Sequence, residues 1–284
     1  MKAEQCVEAD GLCTPVVGPW GLEKYRLVSY YDRMFSSGMK DKWGGLVYID
    51  LFAGAGYARI RGTQRIVRNS ALLALHVPNP FTKYVFCEKI QKKMAALRER
   101  VTREHPSANV SFVLGDCNER IGEILREIPS SSLGRKYLTF CFVDPYAFSV
   151  CFSTITALSK ACGRLDFIVL LPLGMDARRN KRRYVDGELL QIDDFLGDPC
   201  WRPKWMDACR QGQKFGAFIA ESFIQKMTSL GYSPAPGSQM KEFRTDEKRL
   251  PLYHLAFFSK HPRGFDFWRK AQNYGSSQTE MNLG

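Results

Sequence analysis

The stretch Val47-Tyr48-Ile49-Asp50-Leu51-Phe52-Ala53-Gly54-Ala55-Gly56 decides the reading of this chain. A β-branched and aromatic run suited to a buried strand ends in an acid, and two glycines follow at once. Glycine accepts the positive φ of a sharp turn and lets backbone approach a ligand closely. The segment therefore predicts a strand whose carboxyl end opens onto a nucleotide-like ligand. Asp50 can anchor the loop or a ligand amine, and Phe52, Ala53, Gly54 and Gly56 complete the candidate cofactor turn. Two glycines alone also suit a plain structural corner, so the surrounding segments must decide.

Working outward, residues 46–52, 84–88, 110–114, 137–143 and 167–171 are short apolar runs of buried-strand character, and an acid stands at or beside the end of each of the first four. Helical spacing fills the intervals at 71–76, 90–105, 119–128 and 154–161. Alternation of this kind predicts an α/β fold with a mainly parallel, twisted sheet and helices on both faces. Residues 22–35 read as a leading amphipathic helix and 215–230 as a later one, stopped by Gly231 before the turn with Pro234 and Pro236. Segments around Phe243 and at 252–258 predict an antiparallel hairpin closing the sheet. No repeat or low-complexity linker interrupts the chain, so residues 1–284 read as one domain, with a helical lead-in over 1–45 and a helical insertion over 176–210 after the fifth strand.

With 284 residues, 45% hydrophobic and 25% charged, the chain has the composition of a globular protein with an ample core. The nine cysteines are scattered, several within apolar runs, and read as buried thiols of a reducing compartment. None forms a C-x-x-C pair and the histidines add no ligand spacing, which argues against a structural metal. The N-terminus lacks an apolar core of signal length and no apolar stretch is long enough to span a bilayer, so a cytoplasmic location with no membrane partner is expected.

Three further acids stand at strand ends. Glu88 lies farther beyond the glycines than the roughly 20 residues usual for an acid that holds ribose hydroxyls. It is read either in that role or as a strand-end residue pairing with Lys89. Most of the excess falls between Tyr57 and Asn69, because Ser70 looks like the N-cap of the next helix. In Gly115-Asp116-Cys117-Asn118, Asp116 with Cys117 can receive an adenine amino group, or Asp116 can cap a helix. After the fourth strand come Asp144-Pro145-Tyr146. An acid there can hold and orient an acceptor amine, and an aromatic face can keep a planar base in place. The same residues could also serve only to shape the loop.

A net charge of +12 raises the question of a polyanionic partner. Arg59, Arg61, Arg65 and Arg68 fall in what reads as the loop after the first strand, and Arg178, Arg179, Lys181, Arg182 and Arg183 follow the fifth. Both positions belong to the carboxyl edge of a parallel sheet, where ligands bind. They suit phosphate contacts, with Tyr57, Tyr146 or Tyr184 available for base stacking. Solvated surface loops would have the same composition.

At these residues the sequence resembles the three-Cys-motif partner proteins, methyltransferase-like proteins of bacteria and phages found beside a cysteine-motif protein. The matching blocks are Val47-Tyr48-Ile49-Asp50-Leu51-Phe52-Ala53-Gly54, Asn69-Ser70-Ala71-Leu72, Val143-Asp144-Pro145-Tyr146, Leu171-Pro172-Leu173-Gly174-Met175-Asp176 with Arg179-Asn180, and Pro251-Leu252-Tyr253-His254-Leu255 running to Lys260-His261-Pro262. Ala55 stands where that family commonly has proline, and the second proline of the Asp-Pro-Pro-Tyr amine methyltransferases is missing. The resemblance implies a Rossmann-like methyltransferase fold with S-adenosyl-L-methionine as cofactor, and with the basic clusters it points to methyl transfer onto a base of DNA or RNA, an exocyclic amine among the candidate acceptors. A non-catalytic module that binds a cysteine-motif protein, nucleic acid or both is the alternative. A cytosine-carbon methyltransferase would want a Pro-Cys loop after the fourth strand, where Pro145 is followed by Tyr146. A dinucleotide oxidoreductase would want a full G-x-G-x-x-G, which the first turn lacks.

Overall fold

The computed structural model describes residues 10–130, 136–234, 240–245 and 250–281. Cys6 and Pro236 lie outside them. The chain groups into two compact units, residues 1–142 with 262–284, and residues 143–261.

In the first unit, β1 (Val16–Val17) precedes the long helix α1 (Trp20–Met39), which begins earlier and ends later than the apolar spacing predicts. The glycine-turn strand is β2 (Gly45–Asp50), every residue of which is buried. It is followed by β3 (Tyr57–Ile60), β4 (Ile66–Arg68), α2 (Ser70–Leu75), β5 (Lys83–Glu88), α3 (Gln91–Glu104), β6 (Val110–Leu114), α4 (Ile121–Arg126) and β7 (Tyr137–Val143). Strands β7, β2, β5 and β6 pair in that order, all parallel, with Asp50 opposite Phe86 on one side and Phe142 on the other. Pairing in this register sets Asp50 and Glu88 at one edge of the sheet. The expected mixed α/β architecture with a mainly parallel sheet is therefore present.

Residues 57–68 are not an irregular loop. They form the antiparallel pair β3/β4, and β1 adds to β3 in parallel. The fold is alternating, with Ala58, Ile60 and Val67 packed on Tyr25 and Leu73 while Arg59 points outward. Behind β2 an aromatic layer gathers Tyr31, Phe35, Tyr48, Phe81, Tyr84 and Phe140, with centroid separations such as 4.8 Å for Tyr31–Phe140 and 5.3 Å for Tyr48–Phe81. Rings of this size each bury about 150–250 Å² and dominate such a core.

The second unit contains α5 (Phe152–Cys162), β8 (Leu165–Leu171), a π-helical turn (Leu173–Ala177), α6 (Arg178–Val185), α7 (Gln191–Leu196), α8 (Trp201–Arg210), α9 (Phe215–Ser229), β9 (Ser233–Pro234), β10 (Lys241–Arg244) and β11 (Pro251–Ser259). Strand β11 runs antiparallel to β8, β9 and β10, which bears out the predicted hairpin. The expected helical insertion over 176–210 contains three short helices, whose shortness accounts for the weak periodicity. Their apolar positions serve a local aromatic core in which Phe195 stacks on Phe223 at 4.6 Å and Trp205 meets Phe215 at 5.0 Å. Gly174 must be glycine: a Cβ there would lie 1.9 Å from the Pro251 carbonyl oxygen. Helix α10 (Pro262–Met281) belongs to the first unit and packs on α1.

Candidate functional site

The glycine turn is held by side chains from four other segments. Asp50 is fully buried; its Oδ1 accepts from Phe52 N at 3.0 Å and its Oδ2 from Ser70 Oγ at 2.6 Å. Asn69 donates from Nδ2 to the Ala53 carbonyl at 2.7 Å, and its own N–H bonds the Gly56 carbonyl at 2.8 Å. Asn69, not Ser70, is the cap of α2, accepting from Leu72 N. The predicted N-cap is thus shifted by one residue, because the Ser70 hydroxyl is taken by Asp50. Ala53 N donates to the Cys87 carbonyl at 2.9 Å. Asp50 therefore anchors the loop, and of the two readings open for it the ligand-amine reading gains no support.

Glu88, nearly buried at the end of β5, accepts from Gly54 N at 3.0 Å through Oε2 and from Ile90 N at 2.8 Å through Oε1. It does not pair with Lys89, which instead reaches Asp116 at 3.0 Å. A carboxylate has about four acceptor sites, so two single hydrogen bonds leave capacity for a pair of vicinal hydroxyls. Asp116 caps no helix either: its Oδ1 accepts from Asn118 N at 2.9 Å, and α4 begins several residues later. Burial raises its pKa, but the Asn118 N–H and Lys89 outweigh that and hold it below the usual carboxylate range. Cys117 is buried beside it. Two residues that the sequence reading passed over complete this edge, Ile90 at 41% exposure and Leu114 at 40%. Each lies two residues from an acid at a strand end, Ile90 after Glu88 and Leu114 before Asp116.

Both glycines are closely enclosed, and a Cβ on Gly54 would come within 2.8 Å of Asn69 Nδ2. Both take positive φ, 65° at Gly54 and 87° at Gly56. A Cβ on Gly56 would meet Leu72 Cδ1 at 3.0 Å and Arg100 Cδ at 3.2 Å, so this glycine is required for packing within the protein. Replacing it would disturb the turn itself and would not report on a ligand alone.

In the second unit Asp144 follows β7 and is half-buried, Pro145 is buried, and Tyr146 is 82% exposed. Asp176 governs this loop. Its carboxylate accepts from Phe148 N at 3.1 Å, Tyr184 Oη at 2.9 Å and Asn180 Nδ2 at 2.6 Å, tying the loop after β7 to the π-helical turn and α6. Asp176 and Asn180 fell within a matching block, but their long-range partners could not be read from spacing.

The basic residues divide by engagement. Arg59, Arg61, Arg178 and Arg179 are exposed. Arg68 pairs with Glu104 at 3.3 Å, Arg182 with Asp186 at 3.3 Å and Arg183 with Glu188 at 3.2 Å, while Lys181 lies 4.8 Å from the Trp205 ring. Arg65 is half-buried. Of the three tyrosines expected to stack on bases, only Tyr146 is open. Tyr57 and Tyr184 are buried, and Tyr184 is spent on Asp176. The thiols divide as well: Cys87, Cys117 and Cys141 are buried as expected, whereas Cys200 and Cys209 are exposed. Among the described residues no cluster of His, Cys, Asp and Glu could hold a metal ion, and no helix is long and apolar enough to cross a membrane.

No protein-family model and no curated protein matches the sequence. Solved structures do match the fold. A DUF519-family protein from Legionella pneumophila superposes with a TM-score of 0.51 over 92% of each chain at 11% identity. The O-methyltransferase TomG from Streptomyces achromogenes, solved with SAM, gives 0.44 over 84% of this chain and 80% of its own at 9% identity. TYW2 from M. jannaschii, solved with AdoMet, gives 0.40 over 92% and 88% at 10% identity. At such identities the likeness concerns architecture.

Proposed function

We propose that this chain is an S-adenosylmethionine-dependent methyltransferase of the three-Cys-motif partner type, acting on a base of DNA or RNA. The observation that carries the reading is Glu88: one buried strand-end carboxylate closes the glycine turn through Gly54 N and keeps acceptor capacity at the sheet edge. Glu88 would receive the ribose hydroxyls, with Ile90 and Leu114 against the two sides of an adenine and Asp116 with Cys117 near its amino group. Asp50, Phe52, Ala53 and Gly54 would shape the wall beside the methionine portion. Bound there, the cofactor supplies a methyl group already activated by its sulfonium.

What remains for the protein is orientation and exclusion of water. Asp144 would hold the acceptor amine, Pro145 would fix the loop and Tyr146 would offer its open face to the base. Asp176 acts one step away by holding the loop through Phe148 N. Exposed Arg178 and Arg179, with Arg59 and Arg61, would contact phosphates. The solved methyltransferases with SAM or AdoMet bound are in keeping with this reading. Methyl transfer from labelled cofactor to bulk DNA and to bulk RNA tests it. Transfer to either supports the enzyme, whereas cofactor binding without transfer on any nucleic acid favours the non-catalytic module that binds a cysteine-motif protein.

A further inference from the structure

Arg100 on α3 is fully buried, yet a guanidinium cannot shed its charge. A buried charge persists only when paired and hydrogen-bonded. Most of its partners come from a segment that precedes the α/β core. Nε and Nη2 donate to Asp10 Oδ2 and Oδ1, each at 2.7 Å, Nη1 to the Cys13 carbonyl at 3.0 Å and Nη2 to Thr14 Oγ1 at 2.9 Å. Arg103 is a second guanidinium donor to Asp10, at 3.0 Å. The remaining bond of Arg100 goes to the glycine turn, from Nη1 to the Ala55 carbonyl at 2.5 Å, with the Tyr57 ring 4.6 Å from the guanidinium carbon. Residues 10–17 continue as a strap. The Pro15 carbonyl receives Arg59 N at 2.9 Å, and Val16 and Val17 pair with β3.

We infer that Arg100 is a positioning residue that couples this N-terminal strap to the cofactor turn, so that strap docking and cofactor binding reinforce each other. The inference rests on the cofactor reading given above. With the strap in place, Asp10 neutralises the guanidinium and Arg100 can afford to stay inside, where it fixes Ala55. Once the strap leaves, Arg100 keeps a single neutral acceptor, and rehydrating the charge draws it off the turn. Two arrangements of one side chain thus link two places, and linkage makes the effect reciprocal. The Asp10 carboxyl is held well below the usual carboxylate range, chiefly by its hydrogen bond to Arg100, so the coupling is intact at neutral pH.

The test uses the full chain with Asp10→Ala, Arg100→Met and the double variant, all checked for folding by circular dichroism and melting. S-adenosylhomocysteine binding is measured by calorimetry, and hydrogen exchange is followed over residues 51–57 and over the strap. Each single variant should weaken binding about tenfold, within the usual range of coupling between sites. The double variant should bind no more weakly than Arg100→Met, because the strap acts through that residue. Parental affinity in the folded single variants, or fully additive losses, would overturn the inference. Should the parent bind no S-adenosylhomocysteine, the cofactor reading fails on its own, and exchange in the free protein still decides the coupling. Asp10→Ala must speed exchange at residues 51–57 but not in α5, and unchanged exchange at the turn overturns it.

Discussion

The glycine turn of the first unit and the Asp144 loop of the second are both short connections after parallel-sheet strands, but they are built in opposite ways. Around the turn, buried groups from β2, α2, β5 and α3 each bond a different backbone atom between Phe52 and Gly56. In the loop, the Asp176 carboxylate accepts from Phe148 N, and Tyr146 is left open. A pocket for an invariant cofactor gains from a backbone fixed on all sides. A surface that receives a base inside a polymer gains from an aromatic face that can adjust. The difference teaches where the proposed function can be broken: under that proposal, changes at the first region should act on cofactor affinity and changes at the second on turnover.

Asp144→Ala should break the comparison most sharply. Transfer of labelled methyl should fall by about a hundredfold or more, since misplacing an acceptor by about 1 Å can have that effect. Affinity for S-adenosylhomocysteine should stay near the parental value. Equal losses of affinity and melting temperature would make Asp144 structural, and undiminished transfer would remove it from the chemistry.

Asp176→Ala comes next and probes how the loop is held. Stranding the Phe148 N–H, the Tyr184 hydroxyl and the Asn180 amide should cost about 2–4 kcal/mol in denaturant unfolding, because a buried polar group without a partner pays its full desolvation. Slower transfer at near-parental cofactor affinity should accompany that loss. An unchanged unfolding midpoint would show that the ties around Asp176 contribute nothing.

Much of this contrast was legible in the residues. Strand ends marked by Asp50, Glu88 and Asp144 and the glycines beside them depend on local chain geometry, and the predicted strands and antiparallel hairpin are present. What could not be read are pairings across long sequence separations: Asp10 with Arg100, Asn69 with Ala53, Asp176 with Phe148. Burial of Tyr57 and Tyr184 was illegible for the same reason. A tyrosine next to arginines looks like a stacking platform until tertiary contacts cover it.

A smaller effect concerns charge. Each phosphate contact contributes a slope of about −0.9 to log affinity against log salt for duplex DNA, so Arg178→Ser with Arg179→Ser should flatten the slope by about 2 units. Replacing Arg182 and Arg183 should do less, since Asp186 and Glu188 already offset them. A slope identical to the parent in the first pair would exclude phosphate contacts by α6.

The smallest expected change lies beneath the turn. Asp32 on α1 is fully buried and both carboxylate oxygens lack a hydrogen bond; burial, and then the nearby Asp50 charge, raise its pKa well above the usual carboxylate value. A folded-state pKa raised in this way means that the protonated form favours folding, a contribution present in acid and lost as pH rises through the folded value. Asp32→Asn should therefore gain stability relative to the parent as pH is raised from about 4, the unfolded value. A difference in melting temperature that does not vary with pH would contradict a buried, unpaired Asp32.

The most direct test of the central claim is calorimetric titration of S-adenosylhomocysteine into the parent protein and into folded Glu88→Ala, with melting recorded on the same samples. One site per chain in the parent, weakened more than about tenfold by loss of the carboxylate, is the expected result for a charge-assisted contact worth about 1.5–3 kcal/mol. Absence of binding in the parent, or equal affinity in the two proteins, would contradict it.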